Sequence, residues 1–241
     1  MKKFSREILK ELKYYVYLIS DPNGNVLYVG KGKNNRVFQH FDKKNKSDIA
    51  IKIKNLEEKG ETAKIEFLVH GIEDENTVKK IEAGIIDLIG VDNLLNKQSG
   101  YESTNFGRMS YDQIVAKYSS KRKNITEKVV LIKLSETFSY NMDPMQMYDY
   151  TRGIWRISEE RRNATKYAFT IYDGIVQETY KILEWFKATS TFSNRIHRSE
   201  WQGDRWEFVG NIDLDMRKKY QYNSVAHYWT SGNRNPIRFT Y

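Results

Sequence analysis

The sequence predicts an α+β protein in two parts. A small three-stranded antiparallel sheet flanked by helices forms the N-terminal part, and a β-rich, barrel-like domain with one or two helices forms the C-terminal part. Three observations carry this. Short apolar runs at 14–19, 26–29 and 62–70 alternate with a segment of helical period at 74–89. The second half strings strand-like runs between turn residues and holds all five tryptophans. Between the two, residues 119–124 (Ser-Ser-Lys-Arg-Lys-Asn) offer no apolar anchor, as a linker does. The expected parts are residues 1–109, a basic linker over 110–126, and residues 127–241.

Length and composition narrow the chemistry. With 241 residues, the chain can form one large or two modest domains, each with its own core. Forty Lys and Arg against 31 Asp and Glu leave a net charge of +9, and a pI near 9.4 suits a polyanionic partner such as nucleic acid. The absence of cysteine excludes disulfides, thiolate metal sites and a cysteine nucleophile. The four scattered histidines argue against zinc. Met1-Lys2-Lys3 is followed at once by Ser5, Arg6, Glu7 and Lys10, so no secretory signal is read, and no run reaches the ~20 apolar residues of a membrane helix. The expected location is the cytoplasm, away from membranes.

In chain order, apolar positions Phe4, Ile8, Leu9 and Leu12 have helical spacing. Tyr14 to Ile19 and Val26 to Val29 then form a hairpin through Pro22-Asn23-Gly24. Gly30-Lys31-Gly32-Lys33 is too flexible and too charged for a strand. A helix is expected from Asn34 to Phe41, capped by Asn34 or Asn35, with Arg36 and His40 four residues apart on one face. Lys43 and Lys44 open a loop and a helix with a basic outer side, either solvated or lying against a phosphate backbone. Thr62 to His70 gives the third strand. The helix over 74–89 carries Glu82 beside its apolar stripe, where a carboxylate is an edge-of-core ion pair or a metal ligand.

The triplets Tyr15-Val16-Tyr17 and Tyr28-Val29-Gly30, followed by Arg36 and His40 in the form Gly-Lys-Gly-Lys-x-x-Arg-x-x-x-His, resemble the signature of the GIY-YIG nuclease family. The likeness is greatest to the branch that includes the LEM-domain-associated nucleases, and covers about the first 108 residues. Tyr15 departs from the leading glycine of the first triplet. The resemblance implies a catalytic set of Tyr17, Tyr28, Lys31, Arg36, His40, Glu82 and Asn96. In that set Glu82 binds Mg²⁺ or Mn²⁺, Arg36 holds the scissile phosphate, and Asn96 supports the site. The general base is Tyr17 or His40, a choice left open at this point.

In the second half, Val129 to Leu134 reads as a buried strand and Pro144 opens a short helix. Two β-runs flank Asp173-Gly174, a strong hairpin signal. Residues 206–209 and 237–241 complete the strands. Arg152, Trp155, Arg156, Trp206, Trp229 and Asn233 combine aromatic faces with amide and guanidinium groups, the chemistry of a pocket for a flipped-out base. This half is faintly similar to PUA/EVE-type base-binding domains. The expected protein is a metal-dependent DNA endonuclease, monomer or homodimer, acting on double-stranded DNA whose modified base the second domain selects, as in restriction or phage defence. A catalytically silent nucleic-acid-binding or repair-scaffold protein, and an RNA-cleaving nuclease, stand as alternatives.

Overall fold

Strand β1 (Tyr14–Ser20) is the axis of the first half, because its side chains alternate between two apolar layers. Tyr15, Tyr17 and Ile19 enter one cluster with Val37, Ile49, Ile53 and Leu56. Val16 enters the opposite one with Val29, Val78 and Ile86. A strand buried on both faces reads as a nearly unbroken apolar run, as this one does. The coordinates, from a computed structural model, describe residues 3–96, 107–140, 142–195, 203–229 and 235–241. Cα packing divides them into two compact units, Met1–Arg108 and Met109–Tyr241.

In the first unit, β2 (Val26–Lys33), β1 and β3 (Lys64–Ile72) form an antiparallel sheet of order β2-β1-β3. Helix α1 (Arg6–Leu12) and helix α2 (Asp48–Glu58) belong to the tyrosine face, and α3 (Glu75–Ile89) covers the other. Two sequence expectations are corrected. Gly30-Lys31-Gly32-Lys33 is the second half of β2, paired as Tyr17↔Gly30 and Tyr15↔Gly32. Tertiary pairing with β1 here overrides poor strand propensity. The helix carrying Arg36 and His40 is a 3₁₀ helix, Arg36–Phe41. At three residues per turn, positions four apart lie about 120° apart around the axis rather than on one face. Nor does an asparagine cap it: the Asn35 side-chain oxygen accepts from the Phe4 amide instead, at 2.9 Å.

The second unit starts with α4 (Tyr111–Ser119), closed by a Ser110–Gln113 capping box. The stretch expected as a basic linker, 110–126, thus contains a helix. Its remainder is joined to the same unit, since Lys123 N–H donates to the Ser224 carbonyl and Ser224 N–H to that of Lys121. Strands β4 (Val129–Lys133), β5 (Gly153–Trp155), β6 (Tyr167–Tyr172), β7 (Ile175–Lys187), β8 (Trp206–Ile212) and β9 (Ile237–Phe239) form one sheet of order β5-β8-β7-β6-β4-β9. It curls as a half-barrel. β4 and β6 run parallel and the other pairs antiparallel. Asp173 and Gly174 take φ of 48° and 71°, the left-handed pair that a tight hairpin turn needs. Helices α5 (Pro144–Arg152), α6 (Glu159–Ala164) and α7 (Leu214–Tyr220) complete the unit. Among the described residues no helix is long and apolar enough to cross a membrane.

Candidate active site at the free edge of β2

Because the sheet order is β2-β1-β3, β2 leaves one edge unpaired, and every second residue turns its N–H and C=O outward along that edge. Val29 and Lys31 are two such residues, and side chains from elsewhere satisfy them. Asn96 meets Val29 with both halves of its amide, accepting from the amide N–H at 3.1 Å and donating to the carbonyl at 2.8 Å. One carboxylate oxygen of Glu82 accepts from Lys31 N–H at 2.9 Å, while the other holds the Lys31 ammonium at 2.6 Å. Glu82, on α3, is only 8% exposed. Its clamp to Lys31 thus sits on the α3 side of the strand.

Tyr17, Tyr28 and His40 gather on the opposite face. The Tyr17 hydroxyl and His40 Nε2 are 2.8 Å apart, and the His40 ring lies 4.8 Å from that of Tyr28. The bare backbone of Gly30 makes this possible. A Cβ there would stand 2.6 Å from the Tyr17 ring and hydroxyl and 2.7 Å from the Tyr28 ring, inside any real contact distance. Gly32 does the same for Tyr15, whose ring carbons lie 2.6 Å from where its Cβ would be. Tyrosine opposite glycine, twice in succession across β1 and β2, is the packing rule of this hairpin.

Tyr15 also does work that sequence reasoning did not assign to it. Its hydroxyl donates to the Asn34 carbonyl at 2.9 Å and accepts from the Val37 amide at 3.2 Å. That is the role of a helix cap, played by a phenol from a neighbouring strand, and it fixes the entry of the 3₁₀ helix. Asn34 takes a φ of 55°, a region asparagine tolerates. The signal in the sequence was the register itself, since Tyr15 occupies the triplet position where the family pattern has glycine.

Electrostatics separate the titratable groups. Burial, reinforced by Tyr28 and Tyr15, pushes the Tyr17 phenol far above its ordinary value. Burial and then the Glu82 charge raise Tyr28. Burial, and then the Arg36 cation, lower His40, so its imidazole is neutral at pH 7. Arg36 therefore acts electrostatically on Tyr15, Tyr17, Tyr28 and His40 alike. Among the described residues its guanidinium donates to the Gln39 side chain at 3.1 Å and has further N–H groups to offer a ligand. Among the described residues no three His, Asp or Glu side chains converge as a metal cage. One nearly buried carboxylate does fit a hard cation that keeps its waters and takes further oxygens from a substrate, provided the Lys31 ammonium withdraws.

Lys43 and Lys44 are exposed beyond the 3₁₀ helix. In the second unit, of the expected base-reading residues, Trp155 and Trp206 are register partners across β5 and β8. Arg152 is 4% exposed, donates to the Phe192 carbonyl at 2.8 Å and to the Thr191 hydroxyl, and faces Glu207 at 3.4 Å. That internal network holds the 189–192 segment and engages both terminal nitrogens of the guanidinium. Two cations lie on the Trp206 ring, Arg162 at 3.5 Å and Lys187 at 4.3 Å from its centre. The Trp155 indole N–H donates to the Thr151 carbonyl and that of Trp229 to the Asn235 carbonyl. Arg156 is exposed and pairs with Asp204 at 3.2 Å. Asn233 lies outside the described residues.

No curated protein and no solved structure matches the chain. A family model described as the LEM-3-like GIY-YIG domain matches residues 23–147. That span holds Tyr28, Gly30, Arg36, His40, Glu82 and Asn96, starts after the Tyr15–Tyr17 triplet, and runs past Arg108 into the second unit. It covers more than half of the 241 residues, and the chain therefore belongs to the LEM-3-like GIY-YIG domain family.

Proposed function

We propose that the chain is a metal-dependent DNA endonuclease whose first unit hydrolyses a phosphodiester bond and whose second unit selects the DNA. The family is one of nucleases, which generally use divalent metal ions and act on nucleic acid. The observation that carries the reading is that Tyr17, Tyr28 and His40 gather on one face of β2 and the Lys31–Glu82 clamp on the other, with the Glu82 charge acting on both tyrosines. Its cation of choice is Mg²⁺ or Mn²⁺, held by Glu82, which when bound supplies charge stabilisation to the phosphoryl oxygens.

The chain's own residues carry the rest of the chemistry. Arg36 takes the scissile phosphate through its planar donor fork. His40 is the proton sink and Tyr17 its relay: water gives a proton to the Tyr17 oxygen as Tyr17 passes its own to His40 Nε2. The neutral imidazole and the high Tyr17 phenol both favour this over a tyrosinate base. Tyr28 orients the water and phosphate. Asn96 and Tyr15 are positioning residues, the first on the β2 edge and the second at the start of the 3₁₀ helix.

The biological role we propose is modification-dependent restriction or phage defence on double-stranded DNA. One such site cuts one strand, so a double-strand break needs a second copy or two sequential nicks. The test is cleavage of unmodified, methylated and hydroxymethylated duplexes by the purified protein with Mg²⁺. Preference for a modified duplex is expected, and equal cutting of all three would remove the modified-base part while leaving the nuclease intact.

A further inference from the structure

The sheet of the second unit ends on two edges, β5 and β9, and one cavity takes its lining from β9 and from the residue that follows β5. The cavity, about 330 Å³, is lined by Arg156, which follows β5, by Arg238 and Phe239 of β9, and by Arg161 of α6. Three guanidiniums thus share one small space. Arg156 has Asp204 as its acidic partner, on its exposed side at 3.2 Å. Arg161 lies on the rings of Phe239 and Tyr241, 4.4 and 5.4 Å from their centres, and donates to the Tyr241 main-chain oxygen at 3.2 Å. Arg238 donates through Nη1 to the Ile237 carbonyl at 3.0 Å, but its buried Nη2 has no hydrogen-bond partner among the described residues.

A buried guanidinium nitrogen without an acceptor bears its full desolvation cost with nothing to offset it, and three like charges around one cavity repel. An anion with several acceptor oxygens entering the cavity relieves that repulsion. We propose that this seam is a phosphate site, and that the phosphate belongs to the backbone of the nucleic acid the first unit cleaves. The identification of the polyanion rests on the nuclease reading; the anion site itself does not. Size and charge favour a phosphodiester over a base, because the aromatic faces here already carry a cation: Arg161 on Phe239 and Tyr241. The aromatics hold the guanidinium in position and the guanidiniums meet the ligand. The cavity is then a binding cleft at the free β9 edge, with α6 supplying the third arginine.

The experiment is equilibrium binding of a fluorescein-labelled duplex oligonucleotide to the full chain in EDTA, which prevents metal-dependent cutting, across a range of salt. Three forms are compared: unaltered protein, Arg238→Gln, and the Arg156→Gln/Arg161→Gln double variant. Each phosphate-neutralising charge removed should lower the slope of log K against log salt by about 0.9. Weaker binding with a shallower slope in the double variant supports the seam, and the same change in a folded Arg238→Gln adds that side chain to it. Melting curves accompany each titration, and if Arg238→Gln melts early the double variant decides, since it leaves that buried side chain in place. Unchanged affinity and slope in a folded double variant would overturn the proposal while leaving the nuclease reading intact. An unaltered chain that binds no duplex would instead remove the nuclease reading and, with it, the identity of the polyanion.

Discussion

At the scale of single residues, His40 and Tyr17 set the pH behaviour. Only neutral His40 can accept the proton, and burial and Arg36 lower its value. The reactive form is therefore complete above the ordinary ~6.5 of histidine and is lost only as pH falls through a lower value. Cleavage rate against pH should thus rise on an acid limb below ~6.5 and stay level into the alkaline range. A rate still climbing beyond pH ~9 would make tyrosinate the base instead. Lys31 offers a second test, because its ammonium occupies the carboxylate oxygen a cation needs. Replacing Lys31 by Met removes a charge-assisted bond of about 1.5–3 kcal/mol. Mn²⁺ titration of the DNA-free protein should then show roughly 10–100-fold tighter binding, whereas equal or weaker binding would exclude the competition. Residue identities were legible in the sequence, but this pairing was not. Spacing on α3 left Glu82 as an ion pair or a metal ligand, and the structure makes it the partner of Lys31, which lies across the sheet edge and far off in sequence.

At the scale of elements, the hairpin works because two glycines of β2 lie beneath two tyrosines of β1. Gly30→Ala should displace both Tyr17 and Tyr28. Overpacking of this kind costs about 1–3 kcal/mol in stability, and misplacement of reacting groups by about 1 Å costs on the order of 100-fold in rate. Thermal melts and single-turnover cleavage read the two separately. Tyr15→Phe keeps the ring but strands the Val37 amide and the Asn34 carbonyl. A loss of about 1–3 kcal/mol is expected, with turnover reduced more than metal binding. Each described α-helix begins on a Ser or Asp whose side chain caps it, and α1, α2, α3 and α5 were readable from the sequence. What sequence alone missed were elements whose reason lies in tertiary contact. The second half of β2 exists through pairing with β1, and the 3₁₀ helix is held by Tyr15 rather than by its own asparagines. Short β5, α6 and α7 give too few residues for periodicity to register.

At the scale of the molecule, both units put chemistry at a sheet edge. In the first, the unpaired edge of β2 is met by Asn96 and Glu82. In the second, the seam between β5 and β9 gathers arginines. A strand edge is a liability that proteins usually cover, and here the covering groups are the ones proposed to function. The tryptophans expected to build a base pocket have internal partners on one ring or on their indole N–H groups, and the modified-duplex assay tests whether they also meet a base. Composition pointed to a polyanion through net charge, while the arrangement of the positive groups depended on how the sheet curls. The central claim, that Glu82 at the β2 edge makes this chain a metal-dependent nuclease, is tested most directly by Glu82→Ala in a supercoiled-plasmid nicking assay with Mg²⁺, alongside duplex binding. The account predicts that nicking is abolished while DNA binding is kept, and nicking by the variant at the rate of the unaltered protein would contradict it.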